Sequence, residues 1–181
     1  TFKGTFVGGN LTTAVKARTK TGGAVVWGGV RDIEQMRKID AQVYFRGVDP
    51  TPIRDCELTA FNGSCRIGEA ICLPGDIVVG SDNGVLFLPS HMVDLVIENA
   101  YKMQVRDLYG FPKLEQGIYT TADIDAPVWP KEMMQELLAF IDAAPEAAKY
   151  RGLDWSVELR AAAGDEDAVQ EMLRRFDIES M

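Results

Sequence analysis

The sequence predicts a layered α/β protein with a helical C-terminal tail. Three observations carry that class. Over the first 46 residues, helical periodicity alternates with short apolar runs bounded by glycine. The middle of the chain holds short strand-like runs separated by turn residues. After Gly110 the pattern turns helical, punctuated by Pro112, Pro127, Pro130 and Pro145. At 181 residues the chain is long enough for one domain and an appendage. The expected division is a first domain over 1–110 and a tail over 111–181 that serves packing or an oligomer interface.

The stretch Phe2–Leu11 is glycine-rich, with Gly4, Gly8 and Gly9. A helix is expected over Thr12–Lys20, with Asn10 or Thr12 as cap and Gly22 and Gly23 as the stop. The run Ala24–Trp27 reads as a buried parallel strand, ended by Gly28 and Gly29. A short helix follows over Asp32–Ile39, with Ile33, Met36 and Ile39 at helical spacing and Asp32 near its positive end. A strand returns at Gln42–Arg46. Glu57–Phe61, Cys65–Leu73, Ile77–Gly80 and Val85–Leu88 then read as strands of an antiparallel layer, turned by Asn62-Gly63, Pro74-Gly75-Asp76 and Asp82-Asn83-Gly84. One amphipathic helix is expected over Ser90–Tyr109, with Val93, Val96, Ile97 and Ala100 on one side. Two tail helices follow, Lys131–Ala144 on Met134, Leu137, Leu138 and Ile141, and Asp165–Phe176 on Val169, Met172, Leu173 and Phe176.

Composition narrows the function classes. Hydrophobic residues make up 46% and charged residues 25%, as in an ordinary globular protein. No apolar run approaches the ~18 residues of a membrane span, and no secretory pattern opens the chain. The net charge of −8 argues against a nucleic-acid surface. Cys56, Cys65 and Cys72 are too few for a disulfide framework. They read as small buried hydrophobes in a reducing cytoplasm. The single histidine, His91, is expected to be exposed in a first helical turn. Any metal should therefore be held by oxygens, which points to magnesium or manganese.

Two loops carry the chemistry. Gly8-Gly9-Asn10-Leu11 precedes a helix, where small residues let the backbone approach a ligand and free N–H groups attract a carboxylate or phosphate. Gly28-Gly29-Val30-Arg31-Asp32 follows the buried strand, at the carboxyl end where α/β folds place ligands. Arg31 offers a fork for a carboxylate, and Asp32 a hard oxygen for a divalent cation. Taken singly, the first loop reads more simply as a tight turn into a helix, and Arg31 and Asp32 read equally as a pair capping the next helix. Together they supply what a metal-bound 2-oxo acid needs.

These residues also carry a resemblance. Gly8 to Ala14 reads Gly-Gly-Asn-Leu-Thr-Thr-Ala, and Val25 to Asp32 reads Val-Val-Trp-Gly-Gly-Val-Arg-Asp. Leu73 to Gly80 reads Leu-Pro-Gly-Asp-Ile-Val-Val-Gly, followed by Asp82-Asn83-Gly84-Val85 and Pro89. In order and spacing they resemble the RraA-like family, from Thr1 to about Tyr101. That family includes 4-hydroxy-4-methyl-2-oxoglutarate aldolases with oxaloacetate decarboxylase activity and the regulator of ribonuclease activity A. The resemblance implies a swivelling β/β/α domain assembled as trimers or hexamers, with sites at subunit boundaries. It implies that Gly8, Gly9, Asn10 and Leu11 bind substrate, that Arg31 binds substrate and acts in catalysis, and that Asp32 is the catalytic metal ligand for Mg2+ or Mn2+. Pro74-Gly75-Asp76 and Gly84 match structural turns.

There are departures. The aldolase loop commonly has Asp where Gly9 stands, and the spacing between the loops is one residue longer. An acid or base glutamate from a neighbouring subunit is expected in the aldolases, and the sequence does not single one out in this tail. The family's N-terminal hundred or so residues are missing from the chain, which implies poor folding alone.

The resulting expectation is a cytoplasmic, metal-dependent lyase acting on a small 2-oxo acid. Two alternatives stand beside it. Thr1, in place of an initiating Met, suggests a fragment, a trimmed chain or a processed product. In the last case Thr1 would be the nucleophile of a self-processed amide hydrolase, paired with a separate N-terminal fragment of the same precursor. The other alternative is a non-catalytic protein-binding regulator of RNA decay.

Overall fold

The computed structural model describes residues 4–20, 22–54 and 56–176. Thr1 and Phe2 lie outside the described residues, as do Thr21, Asp55 and the last five residues. Mixed α/β architecture and C-terminal helices are both present. The chain forms two compact units that divide between Val93 and Asp94.

In the first unit, three parallel strands form a sheet in the order β1-β2-β3: β1 (Thr5–Val7), β2 (Ala24–Val30) and β3 (Val43–Val48). Helix α1 (Gly9–Arg18) connects β1 to β2, and the short α2 (Ile33–Met36) connects β2 to β3. Val7, Val30 and Met36 form the buried cluster between sheet and helices. Strand β1 lies in the stretch read from sequence only as glycine-rich. Strand β2 continues through Gly28 and Gly29, which were expected to end it, and its pairing with β3 shifts register between Val26 and Gly29. Glycine has no side chain to pack but tolerates extended backbone, and here it absorbs that irregularity.

Two separate hairpins follow in place of the expected continuous layer: β4 (Cys65–Ile67) with β5 (Ala70–Cys72), and β6 (Ile77–Ser81) with β7 (Gly84–Leu88). The run Cys65–Leu73, expected as one strand, is turned back at Gly68, whose φ of 64° suits glycine. Glu57–Phe61 forms no strand, and both Leu58 and Phe61 are exposed. The cysteines are not the buried hydrophobes expected. Cys56 and Cys65 are exposed and Cys72 is half-buried, because their segments pack against too little neighbouring structure. His91 is exposed in a 3-10 turn, as the sequence suggested.

The second unit is helical: α3 (Val93–Glu115), α4 (Thr121–Asp125), α5 (Lys131–Ala143), α6 (Ser156–Ala162) and α7 (Glu166–Phe176). Helix α3 runs through Gly110 and Pro112. Gly110 is not a terminator. A Cβ there would stand 3.0 Å from Ile124 Cδ1, so glycine admits α4 closely against α3. The apolar side expected on Val93, Val96, Ile97 and Ala100 is not the packed one, since Ile97 and Ala100 are exposed. The buried face lies further on, at Lys102, Val105, Arg106 and Tyr109. Helix α5 buries Met134, Leu137 and Ile141 as expected. Its core joins Val105, Tyr109, Trp129, Tyr150 and Trp155. Among the described residues no helix is long and apolar enough to cross a membrane.

Candidate functional site

The two candidate loops meet at the carboxyl ends of β1 and β2. Helix α1 begins at Gly9 with Gly8 as its cap residue, and no side chain of its own caps it. The cap comes from the neighbouring loop: Gly9 N–H donates to Asp32 Oδ2 at 3.1 Å. The sequence suggested that Arg31 and Asp32 could cap the following helix. Asp32 stands at the N-cap position of α2 but makes no side-chain cap there. Its carboxylate serves α1 instead, where the helix dipole favours negative charge.

Asp32 adopts φ 60° and ψ 37°, in the left-handed region. A non-glycine residue pays for that conformation, and Asp is among the few that tolerate it. The turn swings the carboxylate from the end of β2 towards the start of α1. Arg31 Nε lies 3.5 Å from Asp32 Oδ2, and both side chains are about two-fifths exposed, at 39% and 42%. Gly8 makes room for the pair: a Cβ on it would stand 2.7 Å from Asp32 Oδ2 and 3.1 Å from Arg31 Cγ.

Arg31, Asp32, Ile33, Glu34, Val48 and Pro50 line an open cleft of ≈ 380 Å³. Of the residues singled out from sequence, the structure therefore brings Gly8, Gly9, Arg31 and Asp32 together. Asn10 is exposed beside them in the first turn of α1. The Leu11 side chain faces elsewhere, lining a separate apolar hollow with Phe6 and Val15. Thr1, the alternative nucleophile, lies outside the described residues.

Sequence reasoning missed three residues here. Glu34 is a second carboxylate on the cleft wall, readable in the Arg-Asp-Ile-Glu run only once the cleft is known. Gln35 occupies the room beside Gly9, where any Cβ would meet its side-chain amide. A longer residue at position 9, such as the Asp of the aldolase loop, would have to displace Gln35. Asp49, after β3, locks the strand ends. Its carboxylate accepts from Thr51 N–H at 2.8 Å and Gly4 N–H at 3.1 Å, and Thr5 Oγ1 donates to its carbonyl. The N–H groups of Thr51 and Gly4, in that order, hold the Asp49 carboxyl below its ordinary value.

Among the described residues no group of three or more His, Cys, Asp and Glu converges as a metal cage. The donor set instead fits a hard cation that keeps most of its water. Magnesium commonly takes one or two protein carboxylates and fills its other positions with water and substrate. Asp32 lines the cleft, and among the described residues its two contacts both fall on Oδ2, leaving Oδ1 for such an ion.

Residues 2–87 match the RraA-like family model, described as Aldolase/RraA. Over that stretch the chain is similar to the RraA-like family. An uncharacterized protein of Methanocaldococcus jannaschii is 29% identical over 85 residues, 47% of this chain and 41% of that protein. A Halalkalibacterium halodurans protein named as a candidate 4-hydroxy-4-methyl-2-oxoglutarate aldolase is 28% identical over 85 residues, covering 47% and 40% respectively. The crystal structure of Streptomyces coelicolor RraAS2, described as an unusual member of the RNase ES inhibitor RraA family, superposes with a TM-score of 0.54 at 25% identity, over 60% of this chain and 55% of that one. The matched stretch spans about two-fifths of the length of those two curated relatives.

Proposed function

We propose that the protein is a divalent-metal-dependent lyase that cleaves or decarboxylates a small 2-oxo acid in the Arg31–Asp32 cleft. The meeting of the two loops supports it most: the Gly9 amide holds the Asp32 carboxylate at 3.1 Å, beside the Arg31 guanidinium. Such a set joins an anion grip to a hard oxygen donor. The candidate aldolase among the relatives agrees with a lyase class.

In this reading Asp32 holds magnesium or manganese, which when bound supplies Lewis acidity for a keto group. Arg31 grips the substrate carboxylate with its fork, fixing the scissile bond relative to the keto group. The amides at the start of α1 add positive potential on the same side. Gly8 keeps this region open to a ligand. Cleavage leaves an electron pair that must take up a proton, and Glu34 is the further carboxyl group at hand on the cleft wall. Assembly as a trimer or hexamer, an acid group from a neighbouring subunit and a cytoplasmic setting belong to the same reading.

Manganese binding tests the metal half. Electron paramagnetic resonance should show Mn2+ bound by the protein and lost in Asp32→Asn, with folding unchanged by circular dichroism. Equal binding by both proteins would remove Asp32 from the role.

The likeness to Streptomyces RraAS2 favours a second reading, a regulator that binds a ribonuclease. Pull-down of a ribonuclease by the wild type and by Asp32→Asn alike, without lyase activity in either, would establish that reading over the first.

A further inference from the structure

The hairpin of β4 and β5 sets two thiols opposite one another. Its antiparallel register pairs Cys65 with Cys72, Arg66 with Ile71 and Ile67 with Ala70. Directly opposed residues of an antiparallel pair present their side chains on the same face. Their Cβ atoms stand about 4.5–5.5 Å apart, against about 3.5–4.5 Å across a disulfide, so a bond between them needs only a small inward shift. Strands of three residues in a sheet of two can yield that much. Burial first, and then the neighbouring Cys65, pushes the Cys72 thiol above its ordinary value, so each side chain lies within the other's field. Cys65 is exposed and Cys72 half-buried. Cys56 is exposed as well, but belongs to no strand. At its other end the hairpin rests on β2: a Cβ on Gly68, in the turn, would stand 3.4 Å from Trp27 Cη2.

We propose that Cys65 and Cys72 form a reversible cross-strand disulfide, with a low-molecular-weight disulfide such as oxidised glutathione as the oxidant. Access sets the order of events. The exposed Cys65, as thiolate, attacks one sulfur of the oxidant, which breaks the oxidant's S–S bond and releases one glutathione thiolate. Cys72 gives up its proton and attacks Cys65 Sγ, which breaks the mixed disulfide and releases the second glutathione thiolate. The cysteine pair loses two electrons, the oxidant gains them, and the two thiol protons end on the two glutathione molecules. The raised Cys72 thiol is the weaker nucleophile in solution, and its fixed place opposite Cys65 compensates by proximity. An exposed disulfide is readily reduced, so excess thiol restores the pair. The bond closes the open end of a hairpin whose turn already rests on Trp27. The site is independent of the chemistry proposed for the Arg31–Asp32 cleft, and its test reads covalent mass rather than activity.

Cys56 supplies an internal control. An unfolded chain closes the 56–65 and 65–72 loops with comparable ease, because closure depends only weakly on length. The full chain is incubated with oxidised glutathione in native buffer and in urea, its remaining thiols are alkylated, and the tryptic peptides are mapped by mass spectrometry without reduction. Trypsin cuts after Arg66, so a bond from Cys65 to Cys72 joins peptides 55–66 and 67–102, and the alkyl group then sits on Cys56. In native buffer this linkage should exceed both linkages to Cys56 by at least about tenfold, and in urea that preference should disappear. The linked protein should be a monomer lighter by two hydrogens, and dithiothreitol should reverse the change. Cys72→Ser should stop at the mixed disulfide on Cys65. The proposal is overturned if the native protein, or its Cys56→Ser variant, yields only mixed disulfides or links between chains. It is equally overturned if the 65–72 linkage is no more favoured in native buffer than in urea.

Discussion

Up to Val93, the described core gathers around Val7, Val30 and Met36, while Trp27, Phe45, Ile71, Val79 and Leu86 remain exposed. From Asp94 onward, Val105, Tyr109, Trp129, Leu137, Tyr150 and Trp155 close a far larger core. The first unit carries the candidate chemistry and fixes it with polar contacts to the backbone: Asp32 on the Gly9 amide, and Asp49 on the Gly4 and Thr51 amides. The second is held mainly by apolar burial, supplemented by buried polar pairs such as Lys102 with Glu158. Short loops whose conformations are specified by hydrogen bonds and glycine can shape a site without a deep core behind them. A helical unit without such loops must rely on packing density.

The sharpest test of that contrast compares two fully buried residues. Leu137→Ala should lower the stability of the helical unit by about 2–5 kcal/mol, through lost burial and the cavity left behind. Val30→Ala removes less volume from a thinner core and should cost about 2 kcal/mol or less. Urea denaturation with probes in each unit measures both, and equal costs would break the comparison. A smaller effect is expected at the cap of α4. Thr120 and Asp123 form a reciprocal capping box there, with Asp123 N–H donating to Thr120 Oγ1 at 3.3 Å and Thr120 N–H to Asp123 Oδ2 at 2.8 Å. Thr120→Ala should cost about 1 kcal/mol, and no change in the midpoint would show the box to be idle.

Acid should act most gently, and through the polar locks of the first unit. The Asp49 carboxyl sits below its ordinary value of 3.8 because it accepts the Thr51 and Gly4 N–H groups. A lowered carboxyl contributes stability that is fully present above the unfolded value and is lost as pH falls through the folded one. Hydrogen exchange around Gly4 and Thr51 should therefore hold steady above about pH 4 and accelerate, relative to its intrinsic pH dependence, below that. Asp49→Asn should remove the step, and an unchanged step would assign it to another group.

The sequence disclosed the layered class, the tail helices and the pairing of the two loops, because those features are local: glycine placement, helical periodicity and strand-to-helix punctuation. Long-range geometry was hidden. That β2 runs through Gly28 and Gly29 depends on its neighbours β1 and β3, which supply the ladder. That α3 passes Gly110 depends on Ile124 packing into the space glycine leaves. The buried face of α3 includes Lys102 and Arg106, residues that a hydrophobic pattern assigns to solvent. At the candidate cleft, Arg31 and Asp32 were singled out from chemistry and order, and both line it. The left-handed turn of Asp32, the capping of α1 from another loop and the presence of Glu34 and Gln35 arise only when α1 and α2 are brought together.

The most direct test of the central claim is pyruvate release from oxaloacetate by the protein with added Mn2+, followed with and without EDTA and repeated for Asp32→Asn. The account predicts activity that chelation abolishes and that excess metal restores. It predicts a loss of about a hundredfold or more in the variant, equivalent to roughly 3 kcal/mol of barrier. Activity indifferent to EDTA, or equal in Asp32→Asn, would contradict it.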